Sequence, residues 1–92
     1  MAELGGKPYS ERRLGKWIYR EFNPSTIKAK DLVWHRDQHS RFVIVLSGSS
    51  WLFQFDNQLP ESLSFLKTIT IPKGTYHRVI PGGKKLKLLI KE

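Results

Sequence analysis

From Lys16 to Lys91 the apolar residues come in short runs that alternate with polar ones at a period of two, and turn residues separate the runs. "KWIYREF" (16–22) is rich in aromatics and stops at the turn "NPST". "IKAKDLVW" (27–34) alternates, then changes phase at Asp31–Leu32 as a bulge would. "FVIVL" (42–46) is a continuous β-branched run, which predicts a strand buried on both faces. "SGSS" (47–50) predicts a hairpin connection to "WLFQF" (51–55). After the loop "DNQLPES", "LSFLKTITI" (63–71) alternates again. "PKGT" turns the chain into "YHRVI" (76–80), and "PGGK" into "LKLLIK" (86–91). The pattern predicts about seven short strands and no amphipathic helix, hence an all-β sandwich or barrel.

Composition narrows this. A chain of 92 residues supports one domain with a modest core. A hydrophobic content of 39% and an aromatic content of 12% argue for a folded chain. No stretch approaches the roughly 18 apolar residues of a membrane helix, so no membrane partner is expected. "MAELGGKPYSERR" lacks the apolar centre of a secretory signal, so residues 1–15 are expected to be a flexible leader and 16–92 the domain. The absence of cysteine removes disulfides, thiolate nucleophiles and Cys-based metal sites. Together with the missing signal it sets the expectation of a cytoplasmic protein.

The formal charge of +8 favours anionic partners. The bases are spread rather than clustered, and lysines 85, 87 and 91 interleave with apolar residues as on the wet face of a strand. A solvated basic face is the better reading. Nucleic acid ranks below a small anionic ligand, since no recognition motif accompanies the charge.

The candidate chemistry lies in "WHRDQHSRFVIVLSG" (34–48). His35, Asp37, His39 and Arg41 occupy every second position, and Val43 and Val45 continue the parity. In an extended chain these side chains share one face. Arg36 and Arg78 have the opposite parity to the adjoining histidines and read as surface charge. Tyr76 likewise points away from His77.

Taken with "IPKGTYHRVI", about 25 residues on, this segment resembles the two motifs of the cupin superfamily. His35 takes the first ligand position, Asp37 the second, Arg41 the position of a glutamate, and Gly48 closes the first motif. Pro72, Gly74 and His77 match the second motif. The likeness covers roughly residues 27 to 91, and it implies a small single-domain jelly roll, or double-stranded β-helix, with a site inside one end. It also implies a homodimer.

Two departures concern the backbone: Leu66 stands where a glycine precedes the second motif, and Pro81 replaces an asparagine. Two concern the ligands. Asp37 keeps a ligand, because carboxylates bind divalent metals at about 2.0–2.2 Å. Arg41 does not, because a guanidinium has no lone pair and adds positive charge beside a dication. A metal is compatible with Arg41 only if that side chain swings outward or pairs with another acid.

His35, Asp37 and His77 therefore form the expected metal set, a two-histidine, one-carboxylate group suited to iron, zinc, nickel or manganese. His39 could replace the missing glutamate or face solvent from a loop. The expected function is a partly degenerate metal site that binds or transforms a small anionic or sugar-like molecule. The alternative is a metal-free binding or sensing domain in which Arg41, with His39 near it, holds an anion bidentately. No catalytic residue is assigned.

Overall fold

The computed structural model describes residues 9–26 and 34–92. It consists of eight strands: β1 (Tyr9–Leu14), β2 (Trp17–Phe22), β3 (Arg41–Ser47), β4 (Leu52–Phe55), β5 (Glu61–Ser62), β6 (Thr68–Ile71), β7 (His77–Ile80) and β8 (Leu86–Lys91). They form a five-stranded sheet in the order β1-β2-β8-β3-β6 and a three-stranded sheet in the order β5-β4-β7, with every pair antiparallel. Buried residues of both sheets make one core cluster, and Trp51, Val45, Leu63 and Leu86 are its most enclosed side chains. The fold is all-β, as the alternation predicts. No helix among the described residues is long and apolar enough to cross a membrane.

Register explains which side chains turn inward. Val43 lies opposite Ile90 on one side and Ile69 on the other, and Ile18 pairs with Ile90 from β2. A row of four β-branched residues thus crosses four strands on the inner face, and cross-strand packing of this kind stabilises the sheet. Arg41 shares the parity of Val43 and Val45, so β3 carries it to the inner face at the strand's start. The outward residues are less covered: Phe42 is exposed, and Ile44 and Leu46 are half-buried. β3 is therefore buried on one face, not on both as its continuous apolar run predicts.

Two further expectations change. Tyr9–Leu14, part of the expected leader, forms β1, pairing along its whole length with β2 across the Gly15–Lys16 turn. Its charged residues remain exposed because it is an edge strand, where charge is the usual protection against further pairing. Residues 1–8 and most of the expected strand 27–34 lie outside the described residues.

The expected strand 63–71 is interrupted. Leu66 donates its amide to the Val45 carbonyl and Lys67 donates to Ser64, which makes a turn before β6. Leu66 has φ +64°, a left-handed conformation that glycine would adopt without strain and that leucine holds here.

Candidate metal centre

Residues 34–40 are not a strand; backbone bonds dock them against the segment that leads into β7. His35 and His77 exchange two amide–carbonyl bonds of 3.0 and 2.9 Å, an isolated antiparallel bridge. The Gly74 amide donates to the Asp37 carbonyl at 2.8 Å, and the Lys73 amide donates to Ser40 Oγ. Gly74 has φ +77°, a conformation that glycine adopts without strain and that presents its amide to Asp37. The two sequence segments that carry the candidate ligands are thus joined directly.

His35, Asp37 and His77 converge, with one ligand atom from each lying within 4.8 Å of the other two. The His35 and His77 rings meet edge to face at 4.2 Å, and Phe53 stacks on His77 at 5.7 Å. His77 is 4% exposed, whereas His35 sits at an exposed edge of the group.

His77 Nδ1 lies 2.9 Å from the Thr75 carbonyl. A carbonyl only accepts, so Nδ1 carries the proton and Nε2 presents its lone pair. Burial holds the His77 pKa below the ordinary imidazole value, opposed by the Thr75 carbonyl, with His35 lowering it further. The ring is therefore neutral near pH 7. Its Nε2 faces Asp37 Oδ2 at 3.4 Å, and that oxygen is buried without any hydrogen-bond partner. Two lone pairs confront each other with no hydrogen between them. Leaving a buried carboxylate oxygen unpaired is costly, and a divalent cation bound by both atoms removes that cost. The donor set, two imidazoles and one carboxylate, suits iron, zinc, nickel or manganese.

Arg41 reaches this group but is engaged by carboxylates. Its NH2 lies 2.7 Å from Glu92 Oε2 and its NH1 3.6 Å from Asp37 Oδ1. The alternative reading, in which Arg41 holds an anion, would have to free these groups from both carboxylates. Glu92 went unpredicted, although its parity with Leu86, Leu88 and Ile90 continues the inward face of β8.

His39, expected near the pocket, is exposed in a bend with Gln38 and lies outside both the ligand group and the cavity wall. The parity argument fails there because it holds only within extended chain. Arg36 and Arg78 point away as expected: Arg36 lies over the Tyr76 ring, while Arg78 lies over Trp34 and donates to Gln54.

The group opens on a cavity of about 340 Å³. Its wall is mostly apolar, with Val43, Phe53, Leu63, Ile69, Ile71 and Ile90 among its residues. Arg20 also lines it, held by two bonds to Glu11 and stacked over Tyr9.

No family model and no curated protein matches this chain. Solved structures do. A cupin domain protein from Bordetella pertussis Tohama I has a TM-score of 0.63 at 18% identity, covering 94% of each chain. A cupin-2 domain protein from Shewanella frigidimarina NCIMB 400 has a TM-score of 0.61 at 22% identity, covering 90% of this chain and 78% of that one. A structure of the DMSP lyases RdDddP and RnDddQII has a TM-score of 0.64 at 18% identity; it covers 80% of this chain, which spans only 35% of the matched chain. FeII HppE in complex with substrate has a TM-score of 0.62 at 15% identity, covering 89% of this chain and 51% of that one. At these identities the likeness concerns the fold, and with strand order, register and neighbours in agreement, this chain has the cupin fold.

Proposed function

We propose that this chain is a metal-dependent cupin in which the imidazoles of His35 and His77 and the carboxylate of Asp37 hold one divalent transition metal. These three residues line the apolar cavity, where a small molecule with one metal-binding, anionic group could lodge. The observation that carries this reading is the buried, unpartnered Asp37 Oδ2 opposite the lone pair of His77 Nε2.

The neighbours lend support, since one is a complex of an iron(II) protein with its substrate and another comes from lyases. When bound, the metal would supply Lewis acidity to a ligand oxygen. The chain's own contribution is separate. Thr75 fixes the His77 tautomer, Phe53 braces the ring, and the apolar wall excludes water from the ligand's body. Such a wall favours a largely apolar ligand over a hydroxyl-rich sugar, whose many polar groups would go unpaired.

Elemental analysis of purified protein tests the reading. One equivalent of iron, zinc, nickel or manganese is expected in the wild-type chain and none in His77→Ala. Asp37→Asn serves as a second variant, because His77 is buried and its loss could disturb packing. Metal-free wild-type protein that takes up none of these ions on titration would overturn it.

A further inference from the structure

The metal reading leaves a problem in Arg41, a guanidinium on the inner face beside Asp37. Without another acid, Asp37 and Arg41 cancel, and a dication would enter a neutral cluster next to a fixed positive charge. Like charges a few ångströms apart and partly shielded from water repel strongly. The strand register supplies the missing acid. Phe42 lies opposite Lys91, the last residue of β8, which brings Glu92, one residue further on, alongside Arg41. Their side chains form an ion pair at 2.7 Å, much closer than the 3.6 Å between Arg41 and Asp37.

We propose that Glu92 is a positioning residue of the metal site: it tethers and neutralises Arg41, so that Asp37 remains available to a dication. This role rests on the metal reading above but is tested apart from it. The Arg41–Glu92 bond draws the guanidinium onto one carboxylate and leaves it in loose contact with Asp37 Oδ1 only, while Oδ2 faces His77. Arg41 depends on these two acids, since its Nε is buried without a partner. Arg13 also approaches Glu92, at 3.7 Å, but its side chain is 62% exposed and screened, so it competes weakly. The arrangement meets a condition that the sequence sets, in that Arg41 pairs with an acid that is not a metal ligand.

The experiment measures cobalt(II) affinity by chelator competition in wild type, Glu92→Gln, Arg41→Gln and the double variant. Metal-free thermal unfolding is followed alongside. Glu92→Gln leaves a bare guanidinium beside the ion and is expected to weaken binding by about tenfold or more. Arg41→Gln should bind within about threefold of wild type, or more tightly. The double variant, having lost both charges, should return to within about threefold of wild type. A merely structural role for Glu92 predicts no such rescue, and predicts a lowered metal-free melting temperature instead.

Equal affinity in wild type and Glu92→Gln, or a double variant as weak as the single, overturns the proposal while leaving the metal site intact. Wild-type protein that binds no cobalt sinks both. Should Glu92→Gln not fold, Arg41→Gln decides alone, and a tenfold fall in its affinity is the overturning result.

Discussion

Asp37→Asn separates a metal ligand from a structural ion-pair partner, because the two roles predict opposite balances of stability and binding. The substitution keeps the shape and removes the charge. In the metal-free protein it loses the contact with Arg41 at 3.6 Å, but Arg41 keeps Glu92 at 2.7 Å and is not orphaned. That loss should be at most about 1 kcal/mol. The amide can in turn donate to His77 Nε2, which now faces an oxygen at 3.4 Å, a net gain of about 1 kcal/mol. Metal-free stability should therefore stay within about 1 kcal/mol of wild type. Breaking a buried structural pair would instead cost about 3–5 kcal/mol.

Metal affinity should move far more. One unit charge at about 4 Å and an effective dielectric near 20 is worth roughly 4 kcal/mol, so a loss of about a hundredfold remains even after the desolvation of the carboxylate is subtracted. Urea unfolding with chelator present and calorimetric titration with zinc or cobalt give the two numbers. A metal-free loss of about 3 kcal/mol or more, or an unchanged metal affinity, would refute the assignment of Asp37.

Three further outcomes follow from other features. Because burial lowers the His77 pKa, between that pKa and about 6.5 the unfolded chain takes up a proton that the folded chain refuses. The stabilisation from neutral His77 is thus complete above about pH 6.5 and declines as pH falls through it, with His35, Asp37 and Arg41 facing the ring; a metal-free urea midpoint that is flat from about pH 7.5 to about pH 5.5 would contradict this. Gly48→Ala should cost about 2–4 kcal/mol in urea unfolding, because φ is +118° and the added Cβ would meet the Leu86 backbone at 2.9 Å. Gly74→Ala, with φ +77° but open space around the Cβ, should cost only about 1 kcal/mol, and a Gly74 variant hit as hard as the Gly48 variant would show that strain rather than collision sets the cost.

The legible part of this site lies where side-chain parity coincides with real strand. From Arg41 to Val45 the alternation read from the sequence is the alternation of β3, and Arg41 lines the cavity beside Val43. His35 and Asp37 meet His77 for a reason other than shared strand parity. Their segment is not extended strand, and it is positioned by the His35–His77 bridge and the Gly74–Asp37 bond, which a period of two cannot show. His39 has the same parity and is lost to solvent because the chain bends at Gln38.

β1 was hidden for a chemical reason. An exposed edge strand carries charge, and "YSERRL" looks like a tail unless Gly15–Lys16 is read as a two-residue turn. That turn sets Glu11 opposite Arg20, an ion pair that in hindsight identifies the hairpin.

Pairing within the inner wall also indicates where a ligand belongs. An apolar cavity tolerates charge only where each charge is answered. Arg20 is answered by Glu11 across the β1–β2 register, and Arg41 by Glu92, the residue after β8. Among the described residues, the buried side-chain polar atoms left without a hydrogen-bond partner are Asp37 Oδ2 and Arg41 Nε, on neighbouring side chains in contact. One is an acceptor and the other a donor, so poor packing of a single residue does not account for both. On the proposed reading a cation on Asp37 Oδ2 would satisfy the acceptor, while Arg41 keeps its contact with Glu92. The unmet acceptor thus lies at the polar side of the cavity, where the proposed metal and its ligand would meet.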